Sequence, residues 1–285
     1  MTTPLLEYDR TIRPSSTTGW NDCPRRQVAS AYRPLVMMMG YRLRKLPSHI
    51  GAAVGTGVHA GNESALKEKM ATGSLGPWDV AENAAVEAAA ERIREGVMWD
   101  ATTENRSTAE NQVRRMTKQY YQQVAPQVWP LVIEERLEAD AGDGWKLSGQ
   151  PDTLTQAPGE LRDTKTGTTK RGNLVQYGAY ALLLGAHGYD VQKVTEDFIQ
   201  RVRMNKPQPA VHSDSPPLDV AKAEAWATLA DMRQAIEKFV AWSTADGPTP
   251  PPETALRVNP MSPLCSDRFC PAWGTDFCRA HQGAK

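Results

Sequence analysis

The sequence predicts an α/β protein with a helical first part, a stranded middle and a helix-rich remainder. Three observations carry this. Residues 79–98 are Ala/Glu-rich and pair with a second helical segment at 107–124. Three strand-like segments, VIEERLEA, WKLSGQPDTLTQ and ELRDTKTG, follow one another across GDG and APGE turns, which suggests a meander. The run LDVAKAEAWATLADMRQAIEKFVAWS is one long amphipathic helix.

Taken in order, residues 15–36 read as a capped helix opening that Pro34 limits. A Gly-punctuated stretch leads to HAGNESALKEKMA, a helix from about His59, and GSLGPWD breaks the chain after it. The first 128 residues are thus expected to be helical throughout. Beyond the three strands come a helix at NLVQYGAYALLLGAHG, a fourth strand at KVTEDFIQRVRM and a Pro-rich loop. After the long helix, DGPTPPPETALRVNPMSP is linker-like and delivers the last three cysteines. No internal repeat occurs.

Composition narrows the function. Across 285 residues, Lys+Arg and Asp+Glu both total 33, so net charge draws the chain neither to nucleic acid nor to a membrane. Basic surface must be local: Arg25, Arg26 and Arg33; Arg42, Arg44 and Lys45; Lys170 and Arg171; Arg201, Arg203 and Lys206. Each cluster alone reads as a solvated face. MTTPLLEYDR lacks a targeting pattern, and the longest apolar run, AYALLLGA, is too short to span a bilayer, so a cytoplasmic protein without membrane contact is expected. No G-x-x-x-x-G-K-[ST] is present, hence no recognisable ATP motor.

The middle strands carry the chemistry. Asp163 and Lys165 are two apart, so they share a strand face with Cα atoms roughly 7 Å apart. Asp152 ends the preceding strand and could lie beside them across the hairpin. Converging carboxylates repel unless a cation neutralises them, and oxygen donors suit Mg²⁺ or Mn²⁺. A neighbouring lysine could orient or deprotonate a metal-bound water, which is the equipment for phosphodiester hydrolysis. On the next helix Gln176 and Tyr180 are four apart and share a face, whereas Tyr177 points elsewhere, toward the core. Two other patterns carry less. GTGVHA at 55–60 fits a dinucleotide-binding fingerprint, but SHIGAAV before it is a poor strand. His59 and Glu63 could pair on a metal, yet H-E-x-x-H is absent.

The ordered series GQPD, DTK and Q-x-x-x-Y resembles the PD-(D/E)XK nuclease superfamily, and within it the RecB/Cas4-like exonuclease branch, including phage-encoded members. VGTGVHAGNE with His59, SSTTGWNDCPRR with Cys23 and LCSDRFCPAWGTDFC extend the resemblance over about residues 15–280. It implies a restriction-endonuclease-like core, a small mixed β-sheet flanked by helices, with a helical N-terminal region and a Cys-rich tail. The implied organisation is 1–128 as the helical region carrying Cys23 and His59, 129–245 as the nuclease core, and 246–285 as a linker and tail packing back on the start. The resemblance also implies that His59, Asp152, Asp163 and the Thr164 carbonyl hold the Mg²⁺ or Mn²⁺. Lys165 would position or activate the water, and Gln176 and Tyr180 would contact DNA or the catalytic network. Glu135 is a candidate supporting acid. The family more often has Glu than Asp at position 163.

Cys23, Cys265, Cys270 and Cys278 all fall within these elements, and an even count in a cytosolic chain points to metal rather than disulfides. The resemblance implies a [4Fe-4S] cluster, with Cys₄ zinc as the alternative because C-x4-C-x7-C departs from the family's C-x2-C-x5-C. The expected activity is a deoxyribonuclease acting exonucleolytically on single-stranded ends in recombination, repair or phage DNA processing, with a helicase or recombination partner. A structure-specific endonuclease and a non-catalytic nucleic-acid-binding protein with a structural Cys₄ site are the competing readings.

Overall fold

The computed structural model describes residues 8–246 and 251–280. Residues 1–7 of the N-terminal segment, 247–250 of the expected linker and 281–285 lie outside them. Helices α1 (Pro14–Thr17), α2 (Pro24–Ala31) and α3 (Arg33–Met38) replace the single helix expected at 15–36. Each has proline in its first turn, where the missing N–H costs no hydrogen bond, so Pro34 opens a helix instead of ending one. Long α4 (Ile50–Thr72), α5 (Trp78–Arg94) and α6 (Arg106–Gln123) follow. The helical region also contains three two-residue strands, β1 (Thr11–Ile12), β2 (Ser48–His49) and β3 (Val97–Met98).

Helix α4 starts nine residues before His59, and the dinucleotide-like GTGVHA lies wholly inside it. Its glycines are there for close approach. A Cβ on Gly57 would lie 2.6 Å from the Ala85 carbonyl oxygen, one on Gly61 2.6 Å from Thr117, and one on Gly55 2.8 Å from Thr166. The helix therefore presses on α5, α6 and the sheet along a side that reads in sequence as a loop.

The expected meander divides between two sheets. VIEERLEA becomes β4 (Pro130–Ile133) and β5 (Leu137–Asp140), and WKLSGQPDTLTQ becomes β6 (Lys146–Gly149) and β7 (Thr153–Thr155). With β8 (Glu160–Gly167), β9 (Lys193–Gln200) and β10 (His212–Asp214), the larger sheet runs β10-β9-β8-β7-β4, and the smaller runs β1-β6-β5. Strands β8 and β9 are parallel, joined by α7 (Leu174–Ala186), and the other pairs of the larger sheet are antiparallel. The result is the small mixed sheet flanked by helices that the sequence predicts.

Alternation along the strands separates two cores. Val132, Leu154, Leu161 and Val194 face α7 and α8 (Leu218–Asp246), while Ile133 and Ile199 join the interior of α4, α5 and α6. The Cys-rich tail joins the first core through Phe277, which packs edge-on against Tyr41 and Phe239. Arg25 ties it to α2, donating to the Leu256 carbonyl at 2.9 Å and to that of Pro251. No described helix is long and apolar enough to cross a membrane.

Candidate metal centre and active site

Four elements converge at one end of the larger sheet. Helix α4 brings His59, the end of β4 brings Glu134, the start of β7 brings Asp152, and β8 brings Asp163 and Lys165. His59 Nδ1 lies 3.3 Å from Asp152 Oδ2 and 3.5 Å from Glu134 Oε1. Among the described residues, His59, Glu134 and Asp152 form the one set of three or more such donor atoms mutually within 4.8 Å. They line an open cavity of about 580 Å³ together with Thr56, Glu63 and Thr166.

The acid delivered here is Glu134 and not Glu135, which is exposed. Strand β4 stops at Ile133, and Glu134 takes a left-handed conformation at φ 46° while its N–H bonds the Asp152 carbonyl at 3.0 Å. That turn aims its carboxylate into the pocket. No local signal in IEER distinguishes the two glutamates. Glu63, weighed as a partner for His59, lines the cavity but pairs with Lys67 at 2.6 Å.

Asp163 is buried and lies beside the trio without belonging to it. Lys165 Nζ sits 2.5 Å from Asp163 Oδ2 and pairs with it. Thr164 turns to the opposite face. Its N–H fixes Asp152 Oδ2 at 2.7 Å, and its side chain bonds Tyr120. Gln176 bonds Tyr180, whose hydroxyl feels Asp163 and Asp152 and is pushed upward, chiefly by burial. Gly149 permits this, since a Cβ there would come within 2.9 Å of the Tyr180 ring.

Two residues outside the expected set complete the surroundings. Tyr177 is core, as its position suggests, yet its ring lies 5.7 Å beneath Lys165 Nζ and its hydroxyl donates to Glu196. Glu196 of β9 sits directly across from Asp163 and is buried. The adjacent acids in KVTEDFIQ, set among Val194, Phe198 and Ile199, were the available signal for it.

The electrostatics are those of a site short of positive charge. Burial is the largest influence on Asp163 and raises it to about 6, Lys165 opposing and Asp152 adding. Asp152 is likewise raised by burial, against His59. Burial alone would lower His59, but Asp152 and then Glu134 lift it to about 9. For Lys165 burial is outweighed by Asp163 and Asp152, which keep it charged. Crowded carboxylates and a convergent imidazole fit a divalent cation, whose binding would displace these protons.

The four cysteines gather elsewhere, between α2 and the tail. Cys23, Cys270 and Cys278 are buried and Cys265 is half-buried. Burial first, then Cys270, Cys23 and Cys278, push the Cys265 thiol up to about 11. Arg25 donates to Cys278 and is lowered by burial.

A helix-flanked mixed sheet with a carboxylate–lysine pocket at its end defines a class of metal-dependent phosphodiester hydrolases. A family model of the PD-(D/E)XK nuclease superfamily matches residues 14–275, and the chain belongs to that superfamily. No curated protein matches it. The solved structure of "Putative exonuclease" from Eubacterium rectale is similar over 90% of this chain and 87% of that one, with TM-score 0.57 at 9% identity, a likeness of fold. The solved structure of SSO0001 covers 79% of this chain and 78% of that one at 11% identity, and its TM-score of 0.31 carries no argument.

Proposed function

We propose that the protein is a metal-dependent deoxyribonuclease that degrades DNA exonucleolytically from single-stranded ends. The observation that carries this is the meeting of His59, Glu134 and Asp152 beside the Asp163–Lys165 pair in an open cavity. A Mg²⁺ or Mn²⁺ ion on the trio, with Asp163 alongside, would polarise the scissile phosphate and acidify a water at neutral pH. Lys165, held charged by Asp163 and braced over Tyr177, donates hydrogen bonds to the attacking water or the phosphoryl oxygens. Thr164 N–H fixes Asp152, and Gln176 with Tyr180 closes the pocket's inner wall. In the hydrolysis one P–O bond forms and one breaks, the water losing a proton and the leaving oxygen gaining one. Without an ATP motor in the chain, strand separation falls to a partner or to fraying ends.

The four thiols between α2 and the tail would hold an iron–sulfur cluster, as the resemblance implies, with Cys₄ zinc as the alternative. Buried Arg25 supplies a counter-charge, and the cluster would staple the tail to α2.

The test compares end-labelled linear with circular single-stranded DNA, in Mg²⁺ and in Mn²⁺, for the anaerobically purified protein and for Lys165→Ala. The expected result is metal-dependent shortening of the linear strand, an intact circle and loss of activity in the variant. Nicking of the circle would make it an endonuclease, and no cleavage by folded protein in either metal would overturn the reading.

A further inference from the structure

The metal pocket is one end of a longer groove. Gly51, Ala52 and Thr166 line both that pocket and a second hollow of about 300 Å³. His49 lines the second hollow and also a third, of about 270 Å³, against the Cys-rich tail. Through these shared residues the three adjoin in a row from the catalytic side chains, past the first turn of α4, to the segment between Cys265 and Cys270.

Beyond the carboxylates of the metal pocket its walls are basic, Lys165 and Arg201 being paired with Asp163 and Asp100. Lys165, Arg171 and Arg201 line the middle, and Arg33, Arg44 and Arg268 line the far end. Asp100, the acid beside this path, is consumed by Arg201 through contacts of 2.6 and 3.2 Å. At the far end the guanidiniums form no ion pair with a carboxylate among the described residues. Arg33 donates to the Leu43 and Arg44 carbonyls, Arg44 to that of Asp267, and Arg268 to the Trp99 carbonyl and the Met98 sulfur. Their charge is left for a ligand. His49 registers the field: burial lowers it, Asp100 opposes, and Arg201 and Arg268 lower it further.

An aromatic face completes the far end. Phe269 is 36% exposed, its ring 6.3 Å from that of His49, with the Arg268 guanidinium 5.3 Å above it. Cations that track phosphates, together with an exposed ring that any base can stack on, are the sequence-tolerant means of holding a single strand. We propose that the groove binds the single-stranded segment beyond the scissile phosphate, with Arg268 on a phosphate and Phe269 stacked on a base. The proposal rests on the nuclease reading and identifies the part of the chain that grips the strand. It also gives the wide Cys265–Cys270 spacing a role, since the four residues between them present Arg268 and Phe269.

The test is fluorescence polarisation of the full chain with oligothymidylates of about 4 to about 20 nucleotides, in Ca²⁺ to prevent turnover. Affinity should climb with length and then level off. Phe269→Ala should remove most of that climb, lowering affinity for the longest strand about tenfold or more. Arg268→Ala should do the same and reduce the log–log salt slope by about 0.7. Phe269→Trp should restore binding, and Arg92→Ala, a residue paired with Glu95 on α5, controls for net charge. Unchanged melting and thiol content in the variants exclude loss of the tail. The proposal is overturned if Phe269→Ala and Arg268→Ala keep the wild-type length dependence, if Phe269→Trp fails to restore it, or if duplex of equal length binds as tightly and loses as much. With Lys165-dependent cleavage intact, any of these leaves the nuclease reading standing; a protein that neither binds nor cleaves DNA removes both.

Discussion

The carboxylate pocket and the thiol group are both rich in metal donors, and they differ in almost every other respect. The pocket's His59, Glu134 and Asp152 are half-buried, lie within 4.8 Å of each other and open onto a cavity. The thiols are mostly buried, more widely spaced, and enclosed between α2 and a tail that has little regular structure to hold it. Hard donors at an open mouth suit an exchangeable ion that must meet substrate, whereas soft donors in a closed seam suit a group that stays. In the proposed reading one site performs the chemistry and the other keeps the groove's far wall in place.

The largest expected effect separates the two sites by removing their metals. EDTA should abolish cleavage by the folded protein, reversibly on adding Mn²⁺, and move the melting midpoint little. Cys23→Ser should do the opposite, lowering the midpoint sharply, because it removes the α2 donor from the thiol group that joins α2 to the tail. Calorimetric melts with and without EDTA check both, and equal destabilisation by the two treatments would erase the distinction.

Next in size is a support between the sites. Asp100→Asn deprives Arg201, which is 4% exposed, of its ionic partner, and should cost about 3 kcal/mol in urea unfolding. The hydrogen bonds and charge of Arg201 outweigh burial and hold the Asp100 carboxyl down at about 2. A depressed carboxylate stabilises the fold above its unfolded pKa near 3.8, and that stabilisation disappears as pH falls through about 2. The gap between wild type and Asp100→Asn should therefore narrow from pH 4 toward pH 2. A smaller change should follow from Gly57→Ala, whose new methyl meets the Ala85 carbonyl and should cost about 1–3 kcal/mol while sparing the thiol site.

The two sites also differed in how far sequence could foresee them. Asp152, Asp163, Lys165, Gln176 and Tyr180 stand on one strand pair and the helix after it, where period-two and period-four spacing fixes which side chains share a face. Glu134 depended on a left-handed turn at the end of β4, and nothing in IEER announces that turn. Glu196 is an acid in an otherwise apolar strand, and only the pairing of β9 with β8 sets it across from Asp163. The start of α4 was hidden by glycines that serve packing, and the single meander concealed a change of sheet at Glu134–Arg136 and again at Gln150–Asp152. That Cys23 meets the three cysteines of the tail was expected from the elements in which they fall, whereas the distances among the thiols had no signal in the sequence.

The finest distinction falls on adjacent residues. Mn²⁺ binding followed by electron paramagnetic resonance, for the wild type, Glu134→Gln and Glu135→Gln, tests most directly whether the pocket holds the ion. The account predicts that Glu134→Gln weakens Mn²⁺ about tenfold or more and that Glu135→Gln binds as the wild type does. Weakening by Glu135→Gln, or wild-type affinity in Glu134→Gln, would contradict it.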